Sequence, residues 1–173
     1  MKILTCVAFL SIAAMSAQAT DIVRYPLPNG STFPISDAVQ VPPGTTLIFQ
    51  SGSGPSPADK NAPEGSAAYW GDTKAQTLST LATIKTSLDK EGLTFGDAVK
   101  MLAFLVGDPA KGGKMDFEGF MAGYTQYFGT AAHQPNLPAR STIQVAGLAS
   151  GALVEIEIVF AKKSGGKSAK KSP

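Results

Sequence analysis

PARSTIQV at residues 138–145 and LVEIEI at residues 153–158 are the stretches that decide the fold of this 173-residue chain. Each alternates apolar and polar residues with a period of two, which is typical of a β-strand with two different faces. The glycine-containing segment 147–151 between them predicts a turn. The two strands are therefore expected to pair as a hairpin, with Arg140 and Glu155 on one side of one sheet.

Arginine is scarce in this chain, since Arg24 and Arg140 stand against thirteen lysines. The planar guanidinium binds a carboxylate through two parallel hydrogen bonds, so a chain that uses lysine elsewhere is expected to keep arginine where that geometry matters. Arg140 is therefore a candidate ligand for a carboxylate. The alternative is a structural ion pair between Arg140 and Glu155 at a subunit contact, because paired buried charges are often only structural.

The first nineteen residues are typical of a secretory signal peptide. Lys2 gives a short basic start, residues 3–15 form an apolar run, and Ala17-Gln18-Ala19 is a small-residue cleavage signal. Cleavage there removes Cys6, the only cysteine, so disulfides and thiolate chemistry are not expected in the mature protein. No later apolar run reaches the length that spans a bilayer, and we expect an exported protein, periplasmic or secreted.

Lysines are concentrated at the C-terminus, where five lie in the last twelve residues. Without Lys2 and those five, nine basic residues face thirteen acidic ones, so the body of the chain is acidic. Residues 164–173 hold no apolar side chain larger than alanine and are predicted to be a disordered tail after a domain of residues 20–163. Such a tail can touch nucleic acid or anionic lipid, but without arginine or aromatic residues a solvated terminus is favoured.

The rest of the chain predicts strands alternating with two helices. Strands are expected near residues 21–27, 38–41, 45–51 and 98–106, with the turn signal at 42–44 joining two of them and a long loop at 52–71. A first helix runs from Asp72 to Gly92, with its apolar stripe at Ala75, Leu78, Leu81, Ile84 and Leu88. A second helix follows Pro109, with its stripe at Phe117, Phe120, Met121, Tyr124 and Phe128. The order predicts an α+β domain with both helices packed on one face of a sheet.

The strand at residues 98–106 is apolar on both faces. Two helices cover only one face of a sheet, so something else must cover the other face. A symmetric oligomer is the simplest cover, and a site on that far face, holding Arg140 and Glu155, would be walled by a neighbouring subunit. The alternative is a small solvated apolar patch, which is uncommon on monomers.

The segment from Ala139 to Thr142, together with Val145-Ala146 and residues 154–157, resembles the C-terminal signature of the RidA (YjgF, reactive intermediate deaminase) family. Ser51-Gly52 after a strand, the helix from Asp72 and residues 96–100 follow in the family's order, so the resemblance covers about residues 33–163. It implies a chorismate-mutase-like α+β fold and a homotrimer with clefts between subunits.

The resemblance also implies hydrolysis of reactive enamine or imine acids, such as 2-aminoacrylate, to a 2-keto acid and ammonia. Arg140 would bind the substrate carboxylate, the backbone near Gly52 and Thr142 would line the cleft, and Glu155 would position or activate water. One carboxyl group is able to pass protons between water and nitrogen, so the chemistry fits these roles. No cofactor is required, and with His133 as the only histidine no metal site is expected.

Three positions depart from the family's pattern. Ala38 replaces a tyrosine that often precedes a Val-Gln pair, Thr142 replaces a frequent cysteine, and Met121 replaces a polar residue of the second helix. Carboxylate binding survives these changes better than a defined rate of deamination. Two functions therefore stay open: a deaminating hydrolase, or a catalytically impaired trimeric binding protein for a small carboxylic acid. Ribonuclease activity, reported in the wider family, is disfavoured by the acidic body.

Overall fold

The computed structural model describes residues 21–129 and 135–162. The predicted signal peptide at 1–19, the lysine-rich tail at 164–173 and His133 lie outside the described residues. Within them a mixed sheet carries two main helices, α2 (Thr73–Glu91) and α3 (Phe117–Tyr124). The predicted α+β class is confirmed.

The main sheet has four long strands in the order β3 (Thr46–Ser53), β7 (Val154–Lys162), β4 (Ala98–Asp108) and β6 (Ala139–Val145). Strand β7 is antiparallel to both β3 and β4, and β6 is parallel to β4. The short strand β5 (Lys114–Met115) pairs with the end of β4.

The predicted hairpin of the two C-terminal strands is wrong, because β4 lies between β6 and β7. Alternation with period two specifies which residues share a face, but it does not specify the neighbouring strand. The strand that is apolar on both sides takes the centre, where one of its faces is buried under the helices and the other is half-buried.

Two early strands form a sheet of their own, β1 (Val23–Tyr25) paired with β2 (Ala38–Gln40). The turn predicted at 42–44 joins β2 to β3, but these two strands belong to different sheets and do not pair. Arg24 holds this small sheet against the start of β4, since its Nη2 donates to the carbonyl oxygens of Gly96 at 2.9 Å and Ala98 at 2.8 Å.

The predicted limits of the first long helix are confirmed. The Asp72 carboxylate accepts a hydrogen bond from the Ala75 amide at 2.7 Å and caps the N-terminus of α2. Gly92 ends the helix in the left-handed conformation, with φ of 67°. The predicted loop at 52–71 contains one further helical turn, α1 (Ala67–Trp70), whose Trp70 indole donates to the Ser150 carbonyl at 2.7 Å.

The buried face of α2 differs from its predicted stripe in the first half. Leu81, Ile84 and Leu88 are buried as expected, but Ala75 and Leu78 are only half-buried. The buried positions of the first two turns are polar instead: Thr73, Gln76, Thr77 and Thr80. This half of α2 packs against the glycines of α3 rather than against aliphatic side chains.

The helices cover one face of the main sheet, and the core lies between the two layers. Its fully buried side chains include Met101 and Leu105 of β4 and Ile156 and Phe160 of β7. The opposite face has no helix over it among the described residues. There Phe49 is 73 % exposed, Leu47 42 % and Ile143 44 %. The expectation of a sheet with two apolar faces is confirmed, and one of them is open in the single chain.

Among residues 21–129 and 135–162, no helix combines the length and apolar character needed to cross a membrane.

Candidate functional site

Arg140 lies near the start of the edge strand β6, on the helix-covered face of the sheet. Its partner across the parallel pair is Met101, which also pairs with Ile158, and both partners are buried in the core between sheet and helices. Residues paired across a sheet share a face, so the Arg140 side chain points toward the helix layer. The expectation that Arg140 lies on the far face is therefore wrong.

Glu155 lies on the opposite face of the same sheet. It pairs with Phe104, and Phe104 pairs in turn with Ile143, which is exposed on the open face. Arg140 and Glu155 of one chain are thus separated by the sheet, and they form no ion pair in the described structure. The structural ion pair considered above, at a subunit contact, would therefore have to join Arg140 of one chain to Glu155 of another.

Aromatic rings surround the Arg140 guanidinium. Its Cζ lies 4.3 Å from the ring centroid of Tyr124, 5.0 Å from that of Phe120, 5.4 Å from that of Phe33 and 5.9 Å from that of Phe117. A cation within about 6 Å of an aromatic ring is attracted to the negative face of that ring. We call these four rings the aromatic cage.

The aromatic cage leaves the guanidinium short of hydrogen-bond acceptors. Nη2 contacts the Met121 sulfur at 3.3 Å, and sulfur is a weak acceptor. Nη1 is buried and has no hydrogen-bond partner among the described residues. Burial lowers the pKa of Arg140, partly offset by Tyr124, but the group remains a cation because arginine is not deprotonated in proteins. A half-buried cation with no anion beside it among the described residues is a candidate anion-binding site.

Thr142 provides a second unused polar group on the same face. It stands two residues beyond Arg140 on β6, so both side chains point the same way. Its Oγ1 is buried without a hydrogen-bond partner among the described residues. The next residue of that face, Gln144, is exposed; it accepts from the Met115 amide at 2.8 Å and donates to the Gly113 carbonyl at 3.1 Å. Among the described residues of β6, the buried side-chain atoms without a partner are therefore Arg140 Nη1 and Thr142 Oγ1.

Gly52 and Glu155 come together on the other face. The pairing of β3 with β7 shifts register between Gln50 and Ser53, which brings the Gly52 backbone over the Glu155 side chain. A Cβ at position 52 would collide with the Glu155 carboxylate, so glycine is the residue that permits this approach. The structure thus divides the four predicted site residues into two pairs, Arg140 with Thr142 and Gly52 with Glu155.

Sequence reasoning missed the residues that form the site around Arg140. Phe120 and Tyr124 of α3 are buried as predicted and Phe117 is half-buried, but the contact of these rings with Arg140 was not foreseen. Assigning Arg140 to the helix-covered face would have found them, because Phe117, Phe120 and Tyr124 repeat at helical spacing and must face the sheet. The Tyr124 hydroxyl donates to the Pro34 carbonyl at 2.9 Å and joins this helix to the segment before β2.

The early segment reaches Arg140 through Phe33 rather than through Ala38. Ser36 forms a β-bridge with Ala139, the neighbour of Arg140, while Ala38 belongs to the separate sheet and pairs with Tyr25. The departure from the family noted at Ala38 therefore lies outside the aromatic cage, whereas Met121 contacts the guanidinium directly.

No group of three or more histidine, cysteine, aspartate or glutamate side chains in the described parts of the chain is arranged to hold a metal ion.

Comparison with known proteins assigns the family. The sequence model described as Endoribonuclease L-PSP matches residues 31–162. A RutC family protein of Sulfurisphaera tokodaii is 33% identical over 139 residues, which cover 80% of this chain and 94% of that protein. The chain belongs to the RidA/YjgF family. The resemblance seen in the sequence is confirmed.

Two further RidA/YjgF proteins show how far the likeness extends. A RutC family protein of Haemophilus influenzae is 35% identical over 92 residues, which span 53% of this chain and 65% of that relative. The crystal structure of E. coli TdcF with bound serine superposes with a TM-score of 0.52 at 28% identity, covering 80% of this chain and 94% of TdcF. The fold is therefore that of the RidA/YjgF proteins.

Proposed function

We propose that this protein is a RidA-type hydrolase that deaminates reactive enamine or imine acids of the 2-aminoacrylate type to a 2-keto acid and ammonia. The observation that carries the proposal is the Arg140 guanidinium, a half-buried cation whose Nη1 is buried without a partner and which has no carboxylate beside it in the described structure. A substrate carboxylate supplies the missing anion through charge-assisted hydrogen bonds.

Hydrolysis of such an imine moves both protons of one water molecule from oxygen to nitrogen; an enamine acid first becomes the imine by moving a proton from nitrogen to C3. Water adds to C2 while one of its protons passes to the imine nitrogen, which gives a carbinolamine. The remaining hydroxyl proton then passes to the amino group, which leaves as ammonia as the C2 carbonyl forms. Arg140 binds and orients the carboxylate, while Thr142 Oγ1 hydrogen-bonds the polar group at C2. Glu155 takes each proton from oxygen and returns it to nitrogen, so one carboxyl group serves both steps.

A complete site of this kind requires two copies of the chain. Arg140 and Glu155 of one chain lie on opposite faces, so we propose that Glu155 and Gly52 on the open face of one subunit meet Arg140 and Thr142 at the β6 edge of the next. Such a contact joins two different surfaces, and heterologous contacts form a ring where the rotation between subunits closes. A homotrimer with three clefts satisfies this geometry and covers the exposed Phe49 and Ile143. We further propose export to the periplasm or medium, on the strength of the predicted signal peptide.

The test of the proposal follows the decay of an imine. An amino-acid oxidase generates the imine acid in situ, and semicarbazide traps what the protein has not hydrolysed. Wild type is expected to accelerate the decay, and Arg140→Met, which keeps the volume of the side chain and removes its charge, is expected to abolish that acceleration. Equal rates of imine decay with and without wild-type protein would contradict the proposal that the protein is an enzyme.

Glu155 allows a second test with a matched control. Glu155→Gln is expected to lower kcat at least about 100-fold, since it removes the general acid–base, with a small effect on KM. Glu157→Gln changes the same residue type on the same face of β7, two positions away, and is expected to keep wild-type activity. Equal losses in both variants would exclude a special role for Glu155.

A binding protein for a small carboxylic acid is the second candidate. It is favoured by Met121, whose sulfur contacts Nη2 of Arg140. The family often has a polar residue at this position of α3, and a polar side chain there would help to hold the water that hydrolysis consumes. Under this alternative the imine decays at the uncatalysed rate, while 2-keto acids still raise the melting temperature of wild type and do not raise that of Arg140→Met.

A further inference from the structure

We propose that the acid bound at Arg140 carries an apolar side chain, and that Met121 and Phe33 select it against a hydroxylated one. The inference rests on the proposed carboxylate site and specifies its substrate class: 2-imino and 2-keto acids with aliphatic or aromatic side chains.

The first support is the chemistry of the side chains that a ligand meets. Phe120 and Tyr124 are fully buried, so an acid arriving from solvent meets the outer members of the site. Phe33 is 38 % exposed, and Phe117 and Met121 are half-buried. None of these three side chains offers a strong hydrogen-bond donor or acceptor.

The second support is the count of polar groups that remain available. The Tyr124 hydroxyl already donates a hydrogen bond to the Pro34 carbonyl. Gln144 already hydrogen-bonds the Met115 amide and the Gly113 carbonyl. On the helix-covered face of β6, Arg140 Nη1 and Thr142 Oγ1 are the buried side-chain atoms of the described residues that lack a partner. The ligand carboxylate uses the first, and its C2 nitrogen or oxygen uses the second.

A hydroxyl group of the ligand that lies against Phe33, Phe117 and Met121 therefore meets no strong hydrogen-bond partner there. Moving it out of water without a compensating hydrogen bond is unfavourable, whereas moving a methyl group against Met121 and Phe33 is favourable. The preference for the apolar acid thus depends on the difference between the transfer free energies of the methyl group and the hydroxyl group.

The test compares two probes of the same size by isothermal titration. 2-Oxobutanoate and 3-hydroxypyruvate have the same number of non-hydrogen atoms and differ only in a terminal methyl or hydroxyl group. We expect wild type to bind 2-oxobutanoate at least about tenfold more tightly, which corresponds to about 1.4 kcal/mol. Met121→Gln, a change of similar volume that adds a polar amide, is expected to reduce this ratio to about threefold or less.

Two variants complete the design. Phe33→Ser is expected to reduce the ratio as well, and it reports on the site even if Met121→Gln fails to fold, because Phe33 is exposed and outside the core. Met115→Gln is the control: Met115 is half-buried, its backbone rather than its side chain bonds Gln144, and the wild-type ratio should persist.

The outcomes separate this inference from the function on which it rests. Binding that Arg140→Met abolishes, with a ratio near one in wild type, overturns the apolar selection and leaves the carboxylate site standing. A high ratio that neither Met121→Gln nor Phe33→Ser changes overturns the assignment to these residues. Absent binding, or binding that Arg140→Met does not weaken, overturns both proposals.

Discussion

Arg140 and Arg24 are the two arginines of the chain, and their settings show what the aromatic cage contributes. Arg24 satisfies its Nη2 with the backbone carbonyls of Gly96 and Ala98. Arg140 has aromatic rings in place of such acceptors. Rings stabilise a cation by about 0.5–2 kcal/mol each, but they do not replace the hydrogen bonds of a buried guanidinium. Each arginine has one buried nitrogen without a partner among the described residues, Nε of Arg24 and Nη1 of Arg140. Arg24 connects parts of the fold through its backbone acceptors, while Arg140 lacks such acceptors and is the candidate for binding an anion.

Tyr124 makes the aromatic cage sensitive to alkaline pH. Burial raises the pKa of Tyr124 to about 12, although the nearby Arg140 acts in the opposite direction. An unfolded tyrosine has a pKa of about 10, so between roughly pH 10 and pH 12 the unfolded chain loses this proton and the folded protein keeps it. The contribution of this pKa difference to the free energy of unfolding is fully present below about pH 10. It falls by about 2–3 kcal/mol as pH rises from 10 to 12.

The measurement is chemical denaturation at several pH values from 8 to about 12. Tyr124→Phe cannot ionise, so its free energy of unfolding should fall less steeply above pH 10 than that of wild type. Tyr25→Phe is the control, because Tyr25 is 44 % exposed and should leave the wild-type slope unchanged. Parallel curves for Tyr124→Phe and wild type would show that Tyr124 does not titrate late in the folded protein.

At the scale of elements, the contact between α2 and α3 depends on glycine. Gly123 faces Thr77, and a Cβ added there would lie 2.7 Å from the Thr77 Cβ. Gly119 likewise lies against Thr73. Because these glycines let the helices approach closely, the threonines of α2 are buried and α3 can place its aromatic rings over Arg140. Close packing of the two helices is thus a condition for the aromatic cage.

Gly123→Ala tests this contact. The added methyl group overlaps Thr77, and overpacking of this kind costs about 1–3 kcal/mol, which exceeds the gain in helix propensity of alanine over glycine. We expect a lower free energy of unfolding by thermal or urea denaturation and weaker carboxylate binding. Gly147→Ala adds the same methyl group where nothing lies within 4 Å, and it should be close to neutral.

The elements themselves were largely predictable, because caps and periodicity are local signals. Asp72 and Gly92 mark the ends of α2, and alternation marks β4, β6 and β7. The pairing of strands was not, since the same alternation fits β6 beside β7 or beside β4. Placing Arg140 on the wrong face followed from that error. The threonine-rich face of α2 was also unpredictable, because it depends on glycines of another helix.

At the scale of the whole molecule, the open face of the sheet is the feature that a single chain leaves unexplained. Glu155 and Gly52 lie on it, beside half-buried Phe104 and exposed Ile143. Covering this face with another subunit would bury its exposed apolar side chains and would also bring Glu155 to Arg140 of that subunit. Assembly and catalysis are therefore expected to be lost together.

Phe49→Lys tests this coupling. Phe49 is 73 % exposed in the single chain, so its replacement should leave the fold of the subunit intact while placing a charge in the proposed subunit contact. Sedimentation equilibrium is expected to give a trimer for wild type and a monomer for Phe49→Lys, with imine hydrolysis lost in the monomer because Glu155 no longer reaches Arg140 of the next subunit.

Val23→Lys introduces the same charge at an exposed apolar position of the separate small sheet, and it should remain trimeric and active. A fully active monomer would contradict the two-subunit site, because it would show that one chain performs the reaction with Arg140 and Glu155 on opposite faces of its sheet.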